Sequence, residues 1–334
     1  MLKSLTIQNF KRFRELTFPT LKRVNLIMGK NNTGKTAVLE SLILLIEPEN
    51  FPGLIPKTFR NYPDNYNLGE NQWNWLFFNQ ETGHPIVVIT KTDELPVYST
   101  AFTRGRIVPQ GWQCAYSDSY MNIAYLSRTV EKVFDVTGSF SHEIPKRMTC
   151  GAMTLSLRPT DPHRDAMDYE RVVLKSGSEE RLEALVRKLE PRLKSIRTIK
   201  LYGQPLLYLD IGLPERIPAI HLGQGFNRLL SIYSELIASG KKVLLIDEIE
   251  NGLHYSVLTE IWRGILNVTE QEGIQVFATT HSYECIRAAH DAFSETLDYD
   301  FALHRLEEVK GEVKVITYDK ETLEASLANN FEIR

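Results

Sequence analysis

The stretch Gly29-Lys30-Asn31-Asn32-Thr33-Gly34-Lys35-Thr36 constrains the fold more than any other part of this chain. It follows the apolar run Val24-Asn25-Leu26-Ile27-Met28, which reads as a buried strand. A helix is expected after it, over about 35–46, ending before Pro48. The spacing G-x-x-x-x-G-K-[ST] has a physical reason. The two glycines let the backbone curl until successive N–H groups face one anion, the lysine adds a point charge, and the hydroxyl suits a hard divalent cation. Gly29, Asn31, Asn32, Thr33, Gly34, Lys35, Thr36 and Ala37 are therefore the candidate phosphate-binding residues, with Thr36 also a candidate metal ligand. A strand–loop–helix of this kind belongs in an α/β fold with a mostly parallel central sheet.

The second half of the chain supplies matching parts. From Leu222 to His290 strands and helices alternate, as in a parallel sheet covered by helices. Val243-Leu244-Leu245-Ile246 forms a central strand whose C-terminal end carries Asp247 and Glu248. Ligands bind at such ends in open α/β sheets. Asp247 is placed to hold Mg²⁺, directly or through water, and Glu248 to polarise an attacking water. His281 ends the next strand, Ile274–Thr279, where an imidazole reaches a γ-phosphate. Gly223, Gln224 and Gly225 open a helix, and free N–H groups at a helix start attract anions. Leu5, Ile7 and Phe10 alternate with polar residues, so antiparallel strands are expected before the phosphate loop. Two more strands, Phe301–Leu306 and Val313–Tyr318, close the sequence.

Region 49–199 reads as an insert between core segments 1–48 and 200–334. It would serve as a lid or effector contact and partly complete the β-subdomain. Its first part, to about residue 85, is irregular and rich in proline, asparagine and aromatics. Trp73, Trp75, Phe77 and Phe78 would form the insert's own core or meet a base or partner. Strands are expected at Ile86–Thr90, Ile107–Tyr116 and Asn122–Leu126. Ser176 and Glu179 have capping-box spacing. Leu182, Leu185, Val186, Leu189, Leu193 and Ile196 share one helical face, with a kink at Pro191. Asp161, His163, Asp165 and Asp168 are an acidic cluster of the sort that usually lies in a solvated loop, with metal binding the alternative. Lys194, Arg197 and Lys200 form a modest basic patch, a solvated face or a DNA contact.

Composition adds exclusions. A net charge of −3 offers no general attraction for nucleic acid. Three scattered cysteines form no zinc or disulfide framework. The N-terminus lacks the apolar core of a signal peptide, and Val38–Ile46 is too short to span a bilayer. A soluble cytoplasmic protein without a membrane partner is expected.

The order of these motifs resembles the ABC-type ATPase head. More narrowly, it is similar to the OLD and RecF-like AAA ATPases without a Toprim nuclease domain. The motifs are the phosphate loop, the Leu222–Arg228 glycine helix, Asp247-Glu248, Glu250-Asn251-Gly252-Leu253-His254 and Thr280-His281. The resemblance covers about 1–48 and 200–334. It implies Walker A, signature, Walker B, D-loop and switch histidine roles for them in that order, with Lys35, Glu248 and His281 catalytic and ATP and Mg²⁺ as cofactors. It also implies a homodimer or higher oligomer in which each ATP lies between one subunit's Walker A and the other's signature helix. The Q-loop glutamine stays open among Gln72, Gln80 and Gln110. Toprim-like Asp298 and Asp300 are followed by residues that read as the two strands Phe301–Leu306 and Val313–Tyr318 of the ATPase fold, so no intrinsic nuclease is expected.

The expected function is an ATP-hydrolysing switch gating a separately encoded effector such as a nuclease, in antiphage defence or DNA maintenance. Alternatives are an ATP-dependent scaffold with negligible turnover and a transporter nucleotide-binding subunit.

Overall fold

The structure, a computed structural model, describes residues 1–46, 74–93, 98–104, 121–126, 152–155, 162–201, 203–238 and 240–328. Three strands carry the centre: β3 (Val24–Gly29), β11 (Val243–Ile246) and β12 (Gln275–Thr280), every residue of them buried. They are buried because both faces of the sheet are covered, and alternate side chains feed two separate cores. Leu26, Leu244, Ile246, Val276 and Ala278 point into one core, and Ile27, Val243, Leu245 and Phe277 into the other.

The six-stranded sheet runs β14-β13-β3-β12-β11-β7, where β7 is Ala152–Leu155, β13 Phe301–Val309 and β14 Glu312–Tyr318. All neighbours are parallel except the β13–β14 hairpin. A second, antiparallel sheet runs β2-β1-β4-β5-β6, from β1 (Leu2–Phe10), β2 (Phe13–Phe18), β4 (Ile86–Thr92), β5 (Tyr98–Arg104) and β6 (Met121–Leu126). The phosphate-loop helix α1 (Lys35–Ile46) touches strands of both sheets. A helix between two sheets has no solvent face, which explains why every residue from Ala37 to Ile46 is buried, the polar Glu40 and Ser41 included. Within the described residues no helix is long and apolar enough to cross a membrane.

On the other face lie α4 (Gln224–Ala238), α5 (Leu258–Glu272) and α6 (Tyr283–Ser294), around the fully buried Trp262. α2 (Pro162–Val173) and α3 (Ser178–Arg187) pack on α4. A small antiparallel sheet of β8 (Ser195–Leu201), β9 (Gln204–Asp210) and β10 (Ile217–Pro218) lies beside α2. Region 49–199 thus contributes β4–β6 to the antiparallel sheet, β7 to the edge of the parallel sheet, and α2 and α3 to the helical layer. The expected strand Ile107–Tyr116 lies outside the described residues.

Two local expectations need correction. The capping box at Ser176 does not form: α3 starts at Ser178 behind Gly177, which takes the left-handed φ of 77° and makes no side-chain cap. Glu179 instead accepts hydrogen bonds from the Tyr169 hydroxyl at 2.9 Å and from Arg197 at 2.6 Å. The apolar period does not belong to one kinked helix either. α3 ends at Arg187 and Ile196 is already in β8, so Pro191 falls in the turn between them. Leu182, Leu185, Val186, Leu193 and Ile196 still share one core, which is why the period ran on past the helix.

The acidic cluster is structural where it is described. Asp165 accepts from Ser231 of α4 at 2.5 Å, Asp168 pairs with Arg171 at 3.1 Å and with Arg164 at 3.6 Å, and His163 meets the Pro205 carbonyl. Asp161 lies outside the described residues. Asp300 accepts from the Arg23 backbone at 2.9 Å and pairs with its side chain at 3.3 Å.

Asp168 also contacts Glu235 across the α2–α4 interface, both carboxyls buried. Burial pushes both carboxyls above their ordinary range, and for Glu235 the neighbouring Asp168 adds to it. A carboxyl whose pKa is higher folded than unfolded favours folding at low pH; that contribution is lost as pH rises from the unfolded value through the folded one. Glu235→Gln keeps the shape without the charge. It should raise the melting temperature at neutral pH by about 2 °C and leave it unchanged below the carboxylate range. A variant less stable at neutral pH in a calorimetric scan would contradict this account of the pair.

Candidate active site

β3 runs directly into the phosphate loop, and the glycines there have no room for side chains. A Cβ on Gly29 would stand 2.7 Å from the Leu306 carbonyl and 2.8 Å from Thr33 Oγ1. Gly34 has a φ of 97° and faces the Phe13 ring, which an added Cβ would meet at 2.6 Å. Asn32 takes a φ of 66°, a conformation asparagine tolerates well, and with Asn31 it is exposed at the loop tip. The Thr33 hydroxyl donates to the Lys30 carbonyl at 2.9 Å. The Lys35 side chain folds back into the ring so formed, its Nζ donating to the carbonyls of Gly29 at 2.8 Å and Lys30 at 3.0 Å. Burial pulls its ammonium below the ordinary value, while Asp247, Glu248 and Glu250 hold it up. Ala37 packs its side chain into the core, so only its backbone N–H is available to a ligand.

Thr36, the second residue of α1, places its hydroxyl 3.1 Å from Asp247 Oδ2 at the end of β11. Burial pushes the Asp247 carboxyl up, opposed first by the hydrogen bonds from Thr279 and Thr36. A hydroxyl and a buried carboxylate side by side are hard oxygen donors with spare lone pairs. They suit Mg²⁺, which takes one or two protein ligands and completes its shell with water and phosphate oxygens. Among the described residues no cluster of three or more His, Cys, Asp and Glu offers an all-protein metal cage.

Glu248 has a φ of 46°, an uncommon conformation for a residue with a side chain. Neighbouring groups hold it there. Its N–H donates to Thr279 Oγ1 at 2.8 Å, the Ile249 N–H donates to the Thr279 carbonyl at 3.0 Å, and the Asn251 N–H donates to the Glu248 carbonyl at 2.9 Å. The carboxyl lies 3.8 Å from His281 Nε2, both side chains about a third exposed, at 36%. Burial and then the neighbouring Asp247 raise the Glu248 pKa, with His281 opposing, which makes it a better proton acceptor than an ordinary glutamate.

Sequence reading alone did not find Thr279. Its buried hydroxyl accepts from Glu248 and donates to Asp247 Oδ1 at 2.5 Å, orienting both acidic residues at once. Thr279→Val should lower kcat by about 10–100-fold, the usual effect of losing such a supporting partner, while Thr279→Ser restores most of it. Equal rates for valine and threonine in a phosphate-release assay would remove Thr279 from the site.

Gly223, Gln224 and Gly225 sit elsewhere. Gly223 takes a φ of 91°, and its carbonyl accepts from Asn227 Nδ2 at 2.9 Å. Gly225 lies against the 250–254 loop, where an added Cβ would come within 2.8 Å of the Gly252 carbonyl. Among the described residues no hydrogen bond joins Gly223, Gln224 or Gly225 to the phosphate loop. A second unforeseen residue, the buried Arg228, donates to the Asp247 carbonyl at 3.1 Å and ties this helix to the end of β11. Gln80 is exposed, on a single helical turn after Phe77, while Gln72 and Gln110 lie outside the described residues.

A phosphate loop at the C-terminal edge of a mostly parallel sheet, next to an acidic strand end, defines a P-loop NTPase. The chain belongs to the family described as "AAA domain, putative AbiEii toxin, Type IV TA system", which matches residues 107–287. Residues 1–97 match the "AAA ATPase domain". The protein is an ATPase. It is 25% identical over 347 aligned positions to an "ATP/GTP phosphatase" of Helicobacter pylori, covering 90% of each chain. The fold is similar to an Smc head bound to the C-winged helix domain of ScpA, with a TM-score of 0.58 at 10% identity, covering 98% of this chain and 99% of that one. It is also similar to a Pyrococcus furiosus Smc head bound to the C-terminal domain of ScpA, with a TM-score of 0.53 at 9% identity and the same coverage.

Proposed function

We propose that this ATPase is a Mg²⁺-dependent switch that closes as a homodimer around ATP and gates a separately encoded effector. The observation that carries the reading is the division of the site. Lys35, Thr36, Asp247, Glu248 and His281 converge at the ends of β3, β11 and β12, while Gly223–Gly225 lie beside the 250–254 loop, and among the described residues no hydrogen bond joins the two groups. A helix start with free N–H groups that does not serve its own phosphate loop is suited to a γ-phosphate held by a second copy.

In this reading the loop N–H groups and Lys35 bind the phosphates, and Thr36 and Asp247 hold the metal, which screens phosphate charge when bound. Glu248 accepts a proton from the attacking water, and His281 steadies that carboxylate and the γ-phosphate. The similarity to OLD and RecF-like ATPases rests on the order of the motifs. The family description names a toxin of a type IV toxin–antitoxin system, which supports a role in defence or growth control over one in transport. A nuclease is the effector class in keeping with that similarity, in antiphage defence or DNA maintenance, with DNA contact through the effector or the Lys194–Lys200 patch. Partner binding has a parallel in the Smc heads bound to ScpA.

The test is the dependence of turnover on protein concentration. A site completed by a second copy gives a specific activity that rises with enzyme concentration and then saturates. Constant specific activity across that range, with the protein monomeric throughout, would rule the shared site out.

A further inference from the structure

The His281 backbone meets the 250–254 loop at Glu250, and the Gly225 helix start meets the same loop at Gly252. Its carboxylate Oε1 accepts the backbone N–H of His281 at 2.6 Å. Its carbonyl accepts from Leu253 at 2.9 Å, closing the 250–254 loop, and the Asn251 N–H returns to the Glu248 carbonyl at 2.9 Å. At the loop's far side the Gly252 carbonyl stands against Gly225, with no space for a methyl group between them. Among the described residues the second carboxylate oxygen, Oε2, is buried without a hydrogen-bond partner. The side chain's hydrogen bond thus ends on the backbone of His281, whose ring lies 3.8 Å from the Glu248 carboxyl. The contacts therefore run in one unbroken line within the subunit, from Gly225 to Gly252, Glu250, His281 and Glu248.

We propose that Glu250 is a positioning residue that fixes the backbone of His281 and passes displacement of the Gly225 helix start to the His281–Glu248 pair. The proposal rests on the reading of the ATP site given above and adds its regulation. Contact of the helix start with a second copy's nucleotide moves the 250–254 loop, and the loop moves His281 through one carboxylate. Binding of ATP to the subunit's own phosphate loop does not pass along this line. Loss of Glu250 consequently acts first on the hydrolytic step, while nucleotide affinity, which Glu250 reaches only as the smallest of three carboxylate influences on Lys35, changes much less.

Two measurements on the full chain test it. The first is hydrogen exchange at the His281 amide in nucleotide-free protein, which reports the bond whether or not a dimer forms. The amide should be protected in the native protein, exchange at least about tenfold faster in Glu250→Ala, and stay protected in Glu250→Gln, whose amide oxygen still accepts. The second is steady-state kinetics. Glu250→Ala should lower kcat by about tenfold or more, with KM within about twofold, and Glu250→Gln should recover most of the loss. Gly225→Ala, which must displace the Gly252 carbonyl, should alter His281 exchange in the native background and have no effect on it in Glu250→Ala. An unprotected His281 amide in the native protein, glutamine as damaging as alanine, or a Gly225→Ala effect that persists without Glu250 would each overturn the proposal. Failure of the dimer reading would appear separately, as turnover independent of protein concentration.

Discussion

Replacing Glu248 with glutamine is expected to abolish multiple turnover while leaving ATP binding intact. The change is nearly isosteric and removes only the proton acceptor. The backbone at φ 46° is held by main-chain bonds to Thr279 and Asn251, which the amide does not disturb. Positioned general bases contribute about 10²–10⁴-fold, and a loss in that range is expected in kcat. ATP affinity should change little, because phosphate binding is assigned to the loop and Lys35. A calorimetric titration alongside a phosphate-release assay separates the two effects. A variant that still turns over at a tenth of the native rate or better would remove Glu248 from the base role.

Lys35→Ala should act on the other half of the account. The ammonium is buried inside the curled loop and donates to two of its carbonyls, so it is already oriented toward the phosphate position. Removing one partner of a buried charge pair costs about 3 kcal/mol or more, over a hundredfold in Kd for ATP. The loop should survive the loss, since Thr33 bonds to Lys30 and Gly29 and Gly34 keep their packing. ATP affinity within about threefold of native would leave the lysine without its assigned role.

Much of the fold could be read from residue order because its signals are local. The glycine–lysine loop fixes strand, turn and helix in a short stretch, and Val243–Ile246 with Asp247-Glu248 carries the same kind of information. The apolar period could also be followed from Leu182 to Ile196, although it crosses from a helix into a strand through a turn at Pro191. Period alone records which side chains enter a core and not where one element stops. The capping-box expectation fails because Ser176 lies inside the turn closed by the Ser178 N–H and the Lys175 carbonyl, whose left-handed position Gly177 fills.

What remained illegible was tertiary. Thr279 is one threonine of a Thr279-Thr280 pair in a strand, and only the pairing of β11 with β12 brings its hydroxyl to Asp247 and Glu248. Arg228 and Glu250 are ordinary charged residues until their partners, the Asp247 carbonyl and the His281 N–H, arrive from other elements. The place of β7 beside β11 had no signal either, since four residues give too short a run for periodicity to separate strand from helix.

In the proposed dimer, half of each ATP site comes from a second copy of this chain. Glu248→Gln tests it most directly, because a dimer formed around ATP cannot be released by hydrolysis. Light scattering during gel filtration should give the 38.4 kDa monomer mass without nucleotide and twice that mass with ATP and Mg²⁺. Adding Lys35→Ala to the same chain should return it to the monomer. A single monomer mass for Glu248→Gln with saturating ATP and Mg²⁺ would contradict the account.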